Sequence, residues 1–455
     1  MLIRFVVNNI YSFGESKEFN MIPSPRYTRL SNHKYNINDF SILKLSSIYG
    51  ANGAGKSNLV KALSILQDII IEEELPIRIS DKVFKFYDSK SDSSQILAVE
   101  FFQSNRAFHY ALEIKSGIIL TEELYESGLG KKDDKIIFER KTNNTGKSEI
   151  TFSKNFENDK ESRVLKNVIE KSLTKPNKPI FKFLTTLDNP FLSDVKIALE
   201  WFDETLQIIM PNAKPRALAQ KIDLDTDFKK YAEDIMCSFH IGIESIKTEK
   251  KGIIEFFGND NANELDELIK NLEESPRKMV GLQSRNGDEI IVVREDEGIF
   301  VKQLKLEHTG RDGIKALFNL DEESDGTIRL LDFIPAFKDV VSKKRVFVID
   351  EMERSIHPLL IKELIRKFSE DDNTNGQLIF STHESNLLDQ NIFRQDEIWF
   401  AEKDKNGSTD IYSLSDFKEH NTIDIRKGYL NGRYGSIPFL ANLQDLNWHN
   451  YDTKE

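Results

Sequence analysis

The sequence predicts an α/β fold built around a strand–loop–helix unit with a glycine-rich loop, together with an antiparallel β lobe and a mainly helical insertion. Three observations support this prediction. The loop Gly50–Ser57 lies between a short apolar run and a segment whose apolar residues have helical spacing. Residues 1–155 contain several short β-rich runs broken by Asn and Gly. After Gly326 helix and strand patterns alternate, which is typical of a parallel sheet.

Residues 1–155 are predicted to hold the N-terminal half of the α/β head, including the glycine-rich loop, and the β lobe. A helix over 58–71 is indicated by Leu59, Leu63, Leu66, Ile69 and Ile70. The predicted strands of this part are 3–7, 11–13, 18–21, 44–49, 96–102, 108–114, 118–124 and 136–138.

Residues 156–306 are predicted to form a mixed, mainly helical insertion, and residues 307–455 the C-terminal half of the head. No heptad pattern persists, so no long coiled coil is expected. The predicted helices are 164–173, 195–209, 264–274, 326–343 and 358–368, and strands are expected within 241–306 and at 345–350, 377–382 and 397–401.

Composition excludes several classes of protein. The 455 residues include 75 acidic and 63 basic side chains, a net charge of −12, which argues against a non-specific DNA coat but not against a local basic groove. The pair Lys250–Lys251 and the run Lys343–Arg345 are candidate basic spots, with solvated surface as the alternative.

The single cysteine, Cys237, allows no intrachain disulfide and favours a reducing, cytoplasmic location. No apolar run approaches the ~18 residues that span a bilayer, and the start lacks a signal-peptide core.

The loop Gly50–Ser57 matches the pattern G-x-x-x-x-G-K-[ST] in full. In such a loop backbone N–H groups and the following helix N-terminus face the phosphates, Lys56 reaches the β- and γ-phosphates, and Ser57 ligates Mg²⁺. On the order of 0.01 chance matches are expected in a chain of this composition, so a mere Gly-rich turn is the weaker interpretation. The expected ATP-binding residues are Gly50, Asn52, Gly53, Ala54, Gly55, Lys56, Ser57 and Asn58.

A second candidate element is the apolar run Arg345–Ile349, which ends in Asp350 and Glu351. At the carboxyl edge of a parallel sheet, Asp350 would hold the Mg²⁺ shell and Glu351 would orient or deprotonate the attacking water. A compact nucleotide-binding core would not place the two acids so far beyond Lys56 in sequence, which is why an insertion between the halves is predicted.

Together these motifs resemble the head of ABC-type ATPases, which transporter, SMC, RecF and OLD proteins share. The resemblance rests on their order: phosphate loop, Ser324–Thr327 opening a helix, the acidic strand end, then Ser381–His383 at a strand end. It implies that two heads sandwich two ATPs, that Ser324 and Gly326 contact the γ-phosphate bound to the other subunit, and that His383 senses the γ-phosphate. The local sequence departs from the transporter form LSGGQ. A simple helix cap at Ser324 and a structural His383 are the alternatives.

Within this group the chain most resembles bacterial ATPases of antiphage defence, the OLD-like, Rlo-like and PARIS-type proteins. The residues that carry this are Asn8–Phe13, Glu323–Thr327 and Gly428–Pro438, whereas 156–306 matches no named module. The resemblance implies a homodimer or larger homo-oligomer that binds ATP and Mg²⁺ and controls a separate effector. Because only about 20 residues follow Pro438, a Toprim-type nuclease is expected to be a separate partner. DNA or a phage protein is the expected trigger, and no membrane partner is expected.

Two other functions stay open from the sequence. One is a RecF-like DNA-repair ATPase that clamps duplex DNA, and the other is a nucleotide-gated scaffold that barely hydrolyses ATP. Arg433 has three interpretations: a nucleotide contact, a docking residue for the effector, or a packed loop arginine.

Overall fold

The computed structural model describes most of the chain, which folds into two compact units. The first unit comprises Met1–Pro211, Ser342–Met352 and Ile365–Glu455, and the second comprises Asn212–Val341 and Glu353–Leu364. The described residues are 1–37, 39–86, 94–143, 145–215, 217–239, 241–258, 262–275, 279–283, 289–417, 419–420 and 423–436.

The described chain contains strands and α-helices joined by loops and short helical turns. The strands are β1 (Leu2–Asn8), β2 (Lys17–Asn20), β3 (Lys34–Ile37), β4 (Phe40–Leu43), β5 (Leu45–Tyr49), β6 (Gln95–Gln103), β7 (Arg106–Lys115), β8 (Ile118–Glu126), β9 (Lys135–Thr142), β10 (Ser148–Phe152), β11 (Leu206–Ile209), β12 (Ile243–Gly252), β13 (Met279–Gln283), β14 (Glu289–Glu295), β15 (Gly298–Thr309), β16 (Lys315–Asn319), β17 (Val346–Ile349), β18 (Gln377–Thr382), β19 (Ile398–Lys403) and β20 (Thr409–Ser413). The helices are α1 (Lys56–Glu72), α2 (Lys154–Asn158), α3 (Lys160–Val168), α4 (Phe181–Thr185), α5 (Ser193–Glu200), α6 (Leu218–Leu224), α7 (Thr226–Ser238), α8 (Ile253–Phe257), α9 (Ala262–Glu274), α10 (Asp325–Ser342), α11 (Pro358–Glu370) and α12 (Ile425–Leu430).

A six-stranded sheet forms the centre of the first unit, in the order β11-β17-β18-β5-β19-β20. The pairs from β11 to β19 are parallel, and only the edge strand β20 runs antiparallel to its neighbour. Because parallel strands end at one edge of a sheet, the residues that follow β5, β17 and β18 lie together. This edge carries the candidate site.

A seven-stranded antiparallel sheet, β10-β9-β8-β7-β6-β1-β2, is the β lobe of the first unit. Its inward side chains share a continuous apolar core with α1, whose buried face includes Leu59, Leu63 and Leu66. An aromatic stack strengthens this core, because the ring of Phe101 lies 4.4 Å from that of Trp201. The antiparallel β lobe predicted from the sequence is therefore present.

A buried ion pair ties the β lobe to the segment before α4. Glu122 and Arg140, both fully buried, approach to 3.4 Å, and the backbone N–H groups of Ile180 and Phe181 donate to the Glu122 carboxylate at 2.9 to 3.0 Å. Arg140 also donates to the carbonyl oxygen of Lys178 at 2.6 Å. Burial of both charges is tolerable only because each finds several partners, so this cluster specifies how the segment packs.

The second unit is built on an antiparallel sheet in which β12, β15, β14 and β13 are neighbours and β16 also pairs with β15. Helix α7 packs its buried residues Phe228, Ala232 and Met236, spaced four apart, into a core that Leu330 and Ile334 of α10 share. The unit therefore has an apolar core of its own.

Most predicted elements coincide with observed ones, and two predictions are wrong. The predicted helix over 195–209 ends at Thr205, because Leu206–Ile209 pairs in parallel with β17 and becomes an edge strand. The predicted strand over 11–13 is a turn closed by an isolated bridge between Ile10 and Phe13, since the positive φ of Tyr11, 53°, interrupts an extended ladder.

The predicted division at 155/156 and 306/307 differs from the limits of the compact units, which assign residues 156–211 to the first unit. Within 156–306 the described residues include more helix than strand. The longest described helix, α10, has 18 residues, so the described chain contains no long coiled coil. None of the described helices combines the length and apolar character needed to cross a membrane.

Candidate functional site

The phosphate loop follows β5 directly and ends in the first turn of α1. Gly55, the residue before this helix, has φ +113°, and a Cβ there would overlap Oγ1 of Thr409. Only glycine combines this left-handed conformation with so close an approach. The second glycine of the motif is therefore required by the local structure, and it leaves the helix N-terminus facing the loop.

Lys56 folds back across the loop. Its Nζ donates to the carbonyl oxygens of Gly50 at 2.7 Å and Ala51 at 3.1 Å, and the residue is only 4% exposed. The same Nζ lies 3.0 Å from Nδ1 of His383. The ammonium group is thus held at the centre of the loop, where a phosphate chain bound by such a loop would lie.

Two residues that the sequence analysis did not single out hold the loop from outside. Oγ1 of Thr409, at the start of β20, lies 2.9 Å from the carbonyl oxygen of Ala54 and 2.7 Å from Oγ of Ser12. Nδ2 of Asn58 donates to the same Ser12 Oγ at 2.8 Å. The turn at 11–13 and the edge strand β20 therefore clamp the loop and the first turn of α1. The sequence signals the position of Ser12 only through the segment Asn8–Phe13, whose resemblance to defence ATPases does not predict a contact with the phosphate loop.

Asp350 and Ser57 meet at the edge of the central sheet. Asp350 is 1% exposed, and its Oδ1 accepts from Oγ of Ser57 at 3.1 Å and from Oγ of Ser381 at 2.5 Å. Its own backbone N–H donates to the carbonyl oxygen of Ile209 at 2.9 Å, which extends the β11–β17 pairing by one residue. The structure thus brings together the two residues that the sequence predicted as Mg²⁺ ligands.

Glu351 and His383 complete the cluster on its more open side. Oε1 of Glu351 lies 3.8 Å from Nε2 of His383, and both side chains are about a third exposed. Because an ammonium group can only donate, Nδ1 of His383 accepts from Lys56 and the ring proton is on Nε2, which faces Glu351. Lys56, His383 and Glu351 therefore form one chain of polar contacts along the edge.

The residues present fit a magnesium ion. The described residues contain no group of three or more His, Cys, Asp or Glu side chains able to hold a metal alone. Mg²⁺ in nucleotide sites does not need one, since it keeps several waters and takes one or two protein oxygens plus phosphate oxygens. The hydroxyl of Ser57 and the carboxylate of Asp350 are hard oxygen donors in contact with each other.

Ser324 and Gly326, the predicted signature residues, lie in the second unit at the start of α10. Oγ of Ser324 accepts from the backbone N–H of Thr327 at 3.2 Å, which is the contact of a helix cap. A Cβ at Gly326 would lie 2.5 Å from the carbonyl oxygen of Ser355, so this position also requires glycine. Ser324 therefore caps α10 in the structure, and the contact of Ser324 and Gly326 with the nucleotide of a second subunit stays a prediction.

The C-terminal tail is described as far as Ser436, so Ile437 and Pro438 of the noted tail motif lie outside the described residues. Arg433 forms an ion pair with Glu419 at 2.8 Å, and its side chain is 55% exposed. This ion pair agrees with the interpretation of Arg433 as a loop arginine that contacts its own chain. The other two stay predictions.

Comparison with known proteins adds one decisive match. Residues 45–389 match the family described as "AAA domain, putative AbiEii toxin, Type IV TA system", an interval that includes β5, the phosphate loop, both strand-end acids and His383. The chain belongs to this AAA-domain family. No curated protein sequence matches the chain.

Two solved structures align with most of the chain at low sequence identity. The SMC head domain from Thermotoga maritima aligns with 90% of this chain and 98% of its own at 11% identity and a TM-score of 0.40. An SmcHead bound to the C-winged helix domain of ScpA aligns over 92% and 99% at 12% identity and a TM-score of 0.42.

Membership of the AAA-domain family and the topology of the central sheet together define the class of protein. The chain is an AAA-domain protein whose phosphate loop lies at the edge of a mainly parallel sheet, beside an antiparallel β lobe, which confirms the α/β fold class predicted from the sequence. Family membership also implies nucleotide binding.

Proposed function

We propose that the protein binds ATP with Mg²⁺ and hydrolyses it at the edge of the central sheet. The observation that carries this proposal is the convergence of Lys56, Asp350 and His383 from three parallel strands onto one loop. The residues of Gly50–Asn58 would bind the phosphates, and Ser57 and Asp350 would hold Mg²⁺, which neutralises phosphate charge.

In this proposal Glu351 is the general base, and His383 responds to the γ-phosphate. Glu351 directly follows the Mg²⁺-binding acid, and the Nε2 proton of His383 faces it across 3.8 Å. A carboxylate at this position can accept a proton from a water that the γ-phosphate attracts. The proton on Nε2 can donate to a phosphate oxygen, so His383 is suited to stabilise charge on the transferred group.

The proposed active form contains two copies of the chain, with Ser324 and Gly326 of one copy closing over the nucleotide of the other. The start of α10 supports this, because a helix N-terminus with a serine hydroxyl is a good anion donor. Oγ of Ser324 is in an exposed side chain, as a contact with a second copy would require.

Glu351→Gln tests the hydrolysis step directly. The variant keeps Lys56, Ser57 and Asp350, so Mg²⁺-ATP binding should persist, while turnover should fall by about 10²–10⁴-fold with the loss of the base. ATP should then hold two heads together, so the variant should elute as a larger species than wild type with ATP and not without it. Glu370→Gln, at the exposed end of α11, is the matched control and should behave as wild type.

Wild-type turnover in Glu351→Gln would show that this carboxylate is not the base, and the catalytic assignment would be withdrawn. Loss of nucleotide binding would instead point to a structural role of Glu351 at its left-handed backbone position, φ +52°.

At the level of the cell, we infer a cytoplasmic sensor that regulates a separate effector, such as a nuclease, in defence against phage. The support is the resemblance of Asn8–Phe13, Glu323–Thr327 and the tail to defence ATPases, and the family's description, which names a putative toxin of a type IV toxin–antitoxin system. Cells that carry the whole defence system should lose protection when Glu351→Gln replaces wild type, because a state locked by ATP cannot cycle. Full protection would contradict the regulatory role while leaving ATP hydrolysis untouched.

The DNA-clamping alternative has weaker support. Lys250 forms an ion pair with Glu295, and Lys251 lies 3.2 Å from Glu249, so this candidate basic spot is largely neutralised. Salt-sensitive, ATP-dependent duplex binding would revive that alternative.

A further inference from the structure

Ser381 begins the motif Ser381–His383, but none of the proposed roles uses its side chain. It is the next-to-last residue of β18 and is completely buried, two residues before His383. Its neighbours in the sheet are β17, which ends in the two acids, and β5, which leads to the phosphate loop. A buried hydroxyl here must have partners, because an unpaired one would cost stability.

The hydroxyl of Ser381 makes two contacts of opposite kind. It donates to Oδ1 of Asp350 at 2.5 Å, and it accepts from the backbone N–H of Glu351 at 2.8 Å. The backbone of Ser381 adds a third contact, since its carbonyl oxygen accepts from the N–H of Met352 at 3.1 Å. One residue therefore holds three successive positions of the acidic turn.

The backbone of Glu351 needs such support. Its φ of +52° is in the left-handed region, which is unfavourable for a residue with a side chain by about 1–2 kcal/mol. At this turn the carboxylate of Glu351 lies 3.8 Å from Nε2 of His383. Strained residues of this kind persist when the surrounding structure fixes them.

We propose that Ser381 is a positioning residue that couples the proposed Mg²⁺-binding carboxylate of Asp350 to the proposed base Glu351. Its proton fixes the orientation of the Asp350 carboxylate, and its lone pair fixes the amide that sets the direction of Glu351. A change at one acid is thereby transmitted to the other through a single hydroxyl. The inference rests on the proposed function, because it concerns the same site.

The test uses the full chain with Ser381→Ala, Ser381→Thr and a double variant. Ser381→Ala should lower kcat for ATP at least tenfold and leave KM for ATP within about twofold, since the phosphate loop is unchanged. Ser381→Thr restores the hydroxyl and should recover most of kcat. If the added methyl group prevents folding, Ser381→Cys gives a second variant of nearly unchanged size, and its weak donor should leave kcat low.

The double variant separates positioning from general damage. If Ser381 acts partly through Glu351, then Ser381→Ala should slow the residual single-turnover hydrolysis of Glu351→Gln by a smaller factor than it slows the wild-type protein. Ser46→Ala is the matched control: Ser46 is equally buried in β5 of the same sheet, and its Oγ donates to the Glu397 carbonyl at 3.0 Å, away from the acids. It should match the thermal stability of Ser381→Ala but retain wild-type kcat.

Wild-type kcat in Ser381→Ala would overturn the inference, as would an equal further loss of rate in the Glu351→Gln background. If the wild-type protein itself does not hydrolyse ATP above the Lys56→Ala level, the proposed function fails instead. The two failures are therefore distinguishable.

Discussion

Removal of the Lys56 side chain should weaken ATP binding by a predictable amount. In the structure Nζ of Lys56 sits among the loop carbonyl oxygens of Gly50 and Ala51, where it is 4% exposed. A charge-assisted hydrogen bond from this position to a phosphate oxygen is worth about 1.5–3 kcal/mol. Since about 1.4 kcal/mol corresponds to a factor of ten, Lys56→Ala should raise the Kd for ATP by about 10- to 150-fold.

The same substitution also removes two bonds within the nucleotide-free loop, each worth about 0.5–1.5 kcal/mol net. Stability must therefore be measured beside affinity, by urea unfolding without nucleotide and by calorimetric titration with Mg²⁺-ATP. Lys61→Ala is the control, because Lys61 lies on the exposed side of the same helix and should change neither quantity by more than about 0.5 kcal/mol. An unchanged Kd in a folded Lys56→Ala protein would refute the assignment of the phosphate site.

Two further predictions concern assembly and the core. Lys56→Ala and Ser324→Arg should each abolish ATP turnover. A mixture of the two variants should regain part of the turnover, because each mixed dimer retains one intact composite site. A mixture that stays inactive although mixed dimers are proven to form would refute the two-headed arrangement. Glu122→Gln should lower the free energy of unfolding in urea by about 3–5 kcal/mol, because it breaks a buried ion pair. The control is Glu123→Gln, on the half-buried opposite face of β8, which should lower the free energy of unfolding by less than about 1 kcal/mol. An unfolding free energy of Glu122→Gln equal to wild type would show that the pair with Arg140 contributes nothing.

The sequence was sufficient to predict local elements with strong chemical or periodic signals. The phosphate loop, the helix α1 and the acidic end of β17 were predicted where the structure has them, because glycine spacing, apolar period and paired acids are local properties. The strand order was not predictable, because it depends on pairings such as β18 with β5 that join distant parts of the chain.

The errors and omissions have the same physical origin. Leu206–Ile209 has the apolar content of a helix end, and only its pairing with β17 makes it a strand. Ser12 and Thr409 are ordinary polar residues in the sequence and gain meaning from a contact across almost the whole chain. Ser381 was noted only as part of a motif that ends in His383, since its two bonds to the acidic turn depend on the adjacency of β17 and β18.

The candidate site is thus a property of the whole first unit and not of the phosphate-loop motif. Residues 1–155 contain every residue of Gly50–Asn58, yet they lack Asp350 and His383, and they lack Thr409, which holds the loop at Ala54. β5 is also a central strand, with β18 on one side and β19 on the other, and both neighbours come from the C-terminal part of the chain. Without them its backbone N–H and C=O groups would have no ladder partners, and the strand that leads into the loop would not be fixed. The chain between β11 and β17 must therefore return to the central sheet so that β17 pairs in register with both β11 and β18, because this pairing places the acidic end of β17 beside the loop.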